Sequence, residues 1–274
     1  MSEAVRRPIL EMRGISKRFG AVQALQEVDF EVYEGEVVGL VGDNGAGKST
    51  LIKAIAGVYR PDSGQYFFEG REVNVNSPRE ATALGIETVY QDLALCDNLD
   101  VVSNLFLGRE MVGPGVPGGL QPLDEVTMER EVKLVIRELA VRIPSVRSQI
   151  SGLSGGQRQG VAVARSVMWN SKVVLLDEPT AALGVAQTRQ VRELILRLRE
   201  RGLGVVVISH NLADIFDVTD RIIVLRLGRR VATFDAHGVN QEQVVGAITG
   251  AVFGSSGGLG SDAPAAGNAE GPGK

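Results

Sequence analysis

Gly42-Asp43-Asn44-Gly45-Ala46-Gly47-Lys48-Ser49 sets glycines, a lysine and a hydroxyl in the order G-x-x-x-x-G-K-S. That spacing suits the cradling of phosphate. Glycines let the backbone turn tightly, so that successive N–H groups converge on phosphate oxygens, and a helix opening near Lys48 adds the positive end of its dipole. Lys48 contributes a point charge to β- and γ-phosphates, and the Ser49 hydroxyl is placed to ligate Mg²⁺. Gly42, Asn44, Gly45, Ala46, Gly47, Lys48, Ser49 and Thr50 are the expected phosphate-binding residues. The bland alternative, a glycine-rich turn before a helix, is weakened by the apolar run Val37-Val38-Gly39-Leu40-Val41 that precedes it.

A second group, Asp177-Glu178, follows the apolar run Val173-Val174-Leu175-Leu176. A buried strand delivers ligand groups at its C-terminal end, where Asp177 can hold Mg²⁺ through water beside Ser49. Glu178 can orient and polarise an attacking water as general base, which implies hydrolysis rather than transfer to a substrate hydroxyl. An acidic pair capping a strand is the plain alternative, and it loses weight beside the glycine loop. An Asn-Lys-x-Asp base motif is absent from the sequence, which argues against a GTPase.

Positioning these groups requires a sheet. The β-branched runs at 37–41, 173–176, 205–208 and 222–225 read as buried strands, and the segments 48–57 and 186–201 read as helices between them. Such a succession predicts a parallel sheet with crossover helices. Segments 9–13 and 24–32 alternate like antiparallel strands with one solvated face, so the sheet content should be mixed. Helices at 101–107 and 126–141, joined by a Gly- and Pro-rich connection at 108–122, read as a helical insertion.

The 274 residues carry 29 Lys and Arg against 33 Asp and Glu, a net charge of −4 that gives no field for a nucleic acid. No nucleic-acid partner is expected. One cysteine, Cys96, and two histidines exclude an internal disulfide and a multi-cysteine zinc site. No apolar run approaches the roughly 18–20 residues that cross a bilayer, and the N-terminus lacks the apolar core of a secretory signal. The cytosol is the expected location. Residues 254–274, nearly all Gly, Ser, Ala and Pro, are expected to be a disordered tail.

Leu153-Ser154-Gly155-Gly156-Gln157 resembles the signature motif of ABC-transporter ATPases. Other landmarks stand in the family's order: Gln91 in Val89-Tyr90-Gln91-Asp92 is similar to its Gln-loop residue, Pro179 follows the acidic pair, and His210 in Ile208-Ser209-His210-Asn211 is similar to its switch histidine. The resemblance implies an α/β fold of the P-loop NTPase type: a RecA-like mixed sheet core with an antiparallel β subdomain, plus an α-helical subdomain inserted at about 92–160 of a cassette spanning 1–253. It also implies ATP and Mg²⁺ as cofactors. Two ATPs would be sandwiched between head-to-tail cassettes, with Ser154, Gly155, Gly156 and Gln157 reaching the ATP of the opposite subunit, so a second cassette, most simply in a homodimer, is an expected partner. His210 would contact the γ-phosphate and help position Glu178. Gln91 would sense Mg²⁺ and the water, giving Ser49, Gln91 and Asp177 as the metal set. Phe19 occupies the place of the family's adenine-stacking aromatic with Val22 near the ribose, the alternative being a core residue between strands. Gly184 stands where the family usually has Asp, a departure that bears on communication between the two sites.

The stretch 89–110 is similar to importers of the ribose, xylose and fructose group. The resemblance thus implies an ATP-hydrolysing subunit that energises monosaccharide import through a transmembrane permease fed by a sugar-binding protein, peripheral on the inner face of the membrane. An exporter ATPase and a soluble regulatory ATPase are the alternatives. Leu93, Leu95, Cys96, Leu99 and Val101 are candidates for a groove receiving a permease helix, or else pack the insertion on the sheet. Cys96 is expected as a small buried hydrophobe.

Overall fold

A computed structural model describes residues 7–114 and 121–251. The 254–274 tail and the middle of the 108–122 connection lie outside the described residues. Alternation near the N-terminus produces a hairpin, β1 (Leu10–Phe19) and β2 (Val22–Val32), paired antiparallel from Leu10 opposite Val32 to Phe19 opposite Val22. Both strands outrun the alternation. β1 shifts register beyond Met12, where Gly14 takes a φ of +61°, and its polar end Ser16-Lys17-Arg18 has no apolar face to mark a strand. Then follow β3 (Val37–Val41), buried at every position, and α1 (Lys48–Ile55), which buries Leu51, Ile52, Ala54 and Ile55.

The chain continues through β4 (Ser63–Phe68), β5 (Arg71–Glu72), α2 (Pro78–Leu84) and β6 (Ile86–Val89). Next are α3 (Val101–Phe106), α4 (Glu125–Glu138) and α5 (Gly155–Val167), the last opened by a capping box between Ser154 and Gln157. β7 (Val173–Asp177), α6 (Val185–Glu200), β8 (Gly204–Ile208) and α7 (Leu212–Val218) lead to β9 (Arg221–Arg226), β10 (Arg229–Asp235) and α8 (Gln241–Thr249). One sheet is antiparallel in the order β2-β1-β4-β5. The other runs β10-β9-β3-β8-β7-β6, parallel except for β10. The mixed architecture is as expected.

Each parallel strand sorts its side chains by parity into two cores. Val38, Leu40, Val173, Leu175, Val206 and Ile208 join α1 and the antiparallel sheet on one face. Val37, Val41, Val174, Leu176, Val205 and Val207 join α3, α4, α5 and α6 on the other. A partly buried ionic cluster around Glu36 ties the sheets together. Arg221 of β9 grips Glu36 through Nε and Nη2 (2.8 and 3.1 Å) and Glu31 of β2 through Nη1 (2.6 Å), while Arg230 of β10 reaches Glu31 at 3.2 Å. Among the described residues no helix is long and apolar enough to cross a membrane.

Candidate functional site

Strand order gathers the chemistry. Adjacent strands β3, β8, β7 and β6 end, respectively, in the glycine loop, in Ser209-His210, in Asp177-Glu178 and in Tyr90-Gln91. The C-terminal edge of a parallel sheet is where α/β folds hold ligands. Two glycines in the loop are dictated by geometry. Gly42 has φ +150° and a Cβ there would lie 2.2 Å from the Leu225 carbonyl; Gly47 has φ +103° and a Cβ would meet the Ala24 carbonyl at 2.7 Å. The loop's Lys48 Nζ donates to the carbonyls of Gly42 and Asp43 at 2.6 and 2.9 Å. Burial lowers the pKa of this ammonium, and the nearby charges of Glu178, Asp43 and Asp177 oppose that shift. Asn44 and Gly45 lie in the turn before α1, Ser49 and Thr50 in its first turn, and Ala46 is buried.

Burial raises the carboxyl of Asp177, and the Glu178 charge raises it further, against Lys53 and Lys48. Its neighbour Glu178 adopts φ +51°, a left-handed conformation that costs a non-glycine residue about 1–3 kcal/mol. The strain is held by its N–H, which donates to the Ile208 carbonyl at 2.9 Å, and by its Oε2, 2.8 Å from His210 Nδ1. Gln91 is exposed at the end of β6.

At the hairpin tip Phe19 is 41% exposed, which rules out a core residue between strands. Its ring meets Tyr59 edge to face at 5.0 Å, and Lys17 Nζ lies 5.6 Å from its centroid. Val22, opposite Phe19, is exposed. Tyr59, just beyond α1, carries no mark in the sequence that pairs it with Phe19. The signature residues sit elsewhere, at the start of α5. Ser154 Oγ accepts from the Gln157 N–H at 3.4 Å. Gln157 spends its amide inside the chain, accepting from the Ser154 N–H at 2.9 Å and donating to the Arg142 carbonyl at 2.9 Å. A Cβ on Gly155 would meet Leu183 at 2.9 Å and one on Gly156 would meet Gln187 at 3.0 Å, so this helix end packs on the loop into α6. Among the described residues no hydrogen bond joins Ser154–Gln157 to the glycine loop of the same chain.

Residues 25–181 match the family model described as ABC transporter. The chain belongs to the ABC transporter family. It is an ATP-binding cassette, and such cassettes are ATPases. The cassette is 49% identical to the fructose import ATP-binding protein of Rhizobium meliloti, over 89% of this chain and 95% of that protein. It is 46% identical to the xylose/arabinose import ATP-binding protein of Sulfolobus acidocaldarius, over 90% and 96%. A ribose import ATP-binding protein of Rubrobacter xylanophilus is 43% identical, but the match covers 46% of that longer chain. Among solved structures, an ABC cassette in its ADP conformation superposes with a TM-score of 0.75 at 26% identity, covering 89% of this chain and 95% of that one. A dimeric post-hydrolysis cassette bound to ADP and Pi gives 0.67 at 25%, covering 83% and 98%.

In this cassette Gly184 caps α6 without a side chain, and its N–H donates to Gln187 Oε1 at 2.9 Å. No three His, Cys, Asp or Glu side chains form a metal cage among the described residues. The oxygen donors of Asp177 and Ser49 instead suit Mg²⁺, which takes one or two protein ligands and fills its shell with phosphate and water. Beyond Gln91, the buried Asn104 holds the Cys96 N–H (2.7 Å) and the carbonyls of Cys96 (3.0 Å) and Asp100 (2.9 Å), and Arg165 of α5 holds the carbonyls of Leu93 and Ala94 (3.0 and 2.7 Å). Cys96 is half-buried rather than fully buried, because its segment is a surface loop pinned by backbone bonds. Leu93, Leu95 and Leu99 are also half-buried, and Val101 is buried. A cleft of about 220 Å³ opens here, lined by Glu87, Leu93, Leu105, Arg109, Arg165 and Trp169.

Proposed function

We propose that the cassette binds Mg-ATP on its glycine loop, hydrolyses it with Glu178 as general base, and thereby powers uptake of a monosaccharide through a partner permease. The observation that carries the hydrolytic part is the Glu178–His210 contact of 2.8 Å at the sheet edge that also bears Lys48 and Asp177. The loop amides and Lys48 grip the phosphates. Ser49, Asp177 and Gln91 would hold Mg²⁺, which would supply charge neutralisation for the bound phosphates. Glu178 takes the proton of the attacking water while His210 fixes its carboxylate and contacts the γ-phosphate. Phe19 stacks on adenine, with Tyr59 bracing its edge and Val22 beside the ribose.

Ser154, Gly155 and Gly156 present a helix N-terminus to the ATP of a second cassette, Gln157 serving to shape that turn, so two copies complete two sites. The dimeric structure that resembles this chain supports that reading. The cleft beside Leu93 takes a helix of the permease, whose acidic or backbone groups would face Arg109 and Arg165. The cassette is then cytoplasmic and peripheral on the inner membrane face, and a sugar-binding protein supplies the permease. The sugar comes from the relatives, named for fructose, xylose/arabinose and ribose import.

Co-purification with its permease, followed by ATPase assay with fructose-, xylose- and ribose-loaded binding proteins, tests this; stimulation by none would remove the import reading. Lys48→Ala is expected to lose about 1.5–3 kcal/mol of nucleotide affinity, the worth of a charged hydrogen bond. Titration calorimetry with ATP reads it directly, and unchanged binding would take the glycine loop out of the site.

A further inference from the structure

One carboxylate oxygen, Oδ2 of Asp214, joins the two loops that carry Glu178 and His210. Thr180, two residues past Glu178, donates its hydroxyl to that atom at 2.7 Å. Asn211, next after His210, donates its side-chain N–H to the same atom at 3.1 Å. Asp214 is 6% exposed on α7, and its Oδ1 lies 3.8 Å from Arg192 Nε of α6. Arg192 in turn pairs with Asp217 on α7.

The need for such an anchor is evident in both loops. Glu178 and Ala182 each take left-handed φ values, +51° and +58°, so the turn that holds Thr180 is strained at both ends. The His210 side chain is 76% exposed, and its Nδ1 lies 2.8 Å from Glu178 Oε2. A hydrolytic pair loses rate steeply when its geometry slips by an ångström. We infer that Asp214 is a positioning residue that sets the distance between Glu178 and His210 by bonding Thr180 and Asn211 through one oxygen, without touching ATP itself. The inference rests on the reading of Glu178 and His210 as the hydrolytic pair.

Thr180→Val removes one hydroxyl at nearly constant volume, and Asp214→Asn changes the anchor itself. Both are expected to lower kcat roughly tenfold or more while KM for ATP stays within about twofold, and Thr180→Ser is expected to keep wild-type kcat. The chain's two histidines allow a readout independent of turnover. The imidazole nitrogen NMR signals of His210 should move in Thr180→Val and Asp214→Asn, and those of His237 should stay. Unchanged kcat, a KM that rises in proportion to the loss, or a fallen kcat with unmoved His210 signals would each overturn the assignment. If Asp214→Asn fails a thermal-melt check for folding, Thr180→Val decides alone. Loss of ATPase activity in the wild-type chain would strike the hydrolytic reading instead, and the NMR shifts would still test the anchor.

Discussion

Glu178→Gln is expected to keep Mg-ATP affinity and lose hydrolysis by roughly 10²–10⁴-fold, the worth of a positioned general base. The amide is nearly isosteric and can keep one contact to His210, now 2.8 Å from Glu178 Oε2, so the strained turn at φ +51° should persist. On the proposed role, what disappears is the acceptor for the water's proton. If two cassettes close on ATP as proposed, size-exclusion chromatography with ATP should show more dimer for this variant than for the parent chain. Near-normal turnover in this variant would remove Glu178 from the base role. A drop in ATP binding instead would mean that its charge serves the phosphate site.

Arg221→Ala is expected to cost about 3–5 kcal/mol of folding stability, because it takes the ionic partner from the buried Glu36 carboxylate rather than deleting a surface pair. Glu36 is 7% exposed and would keep only the Tyr33 N–H at 2.9 Å, while Glu31 would retain Arg230 at 3.2 Å. That loss is a large share of the about 5–15 kcal/mol by which domains are stable. Urea unfolding measures it. A joint Arg221→Met, Glu36→Gln variant should lose less than Arg221→Ala, since no charge is left without its partner. A loss under about 1 kcal/mol for Arg221→Ala would put the cluster in the class of solvated surface pairs.

The sequence made the phosphate edge legible because its constraints are local. Gly42 and Gly47 exclude side chains, and the runs at 37–41 and 173–176 announce buried strands that must deliver Lys48 and Asp177 to one edge. What stayed hidden depends on distant partners. β4, Ser-Gly-Gln-Tyr-Phe-Phe, has no alternation and becomes a strand only because β1 offers Leu10, Glu11 and Met12 as partners for Phe68, Phe67 and Tyr66. α2, α7 and α8 are short, yet the caps Ser77, Asn211 and Asn240 before them were readable signals. Tyr59 was invisible as a neighbour of Phe19 because the two come from different elements. Asp214 looked like any polar residue on a short helix until Thr180, 34 positions away, came within 2.7 Å of it.

The parity of the parallel strands has one more consequence. α1, which follows the glycine loop, and α5, which carries the signature, bury their side chains in different cores on opposite faces of one sheet. The sheet insulates one from the other. On the proposed reading, coupling between the glycine loop and the start of α5 would run around the rim, along the loops at 89–95, 177–185 and 209–211. A change confined to one interior is then expected to disturb that coupling less than a change on the rim.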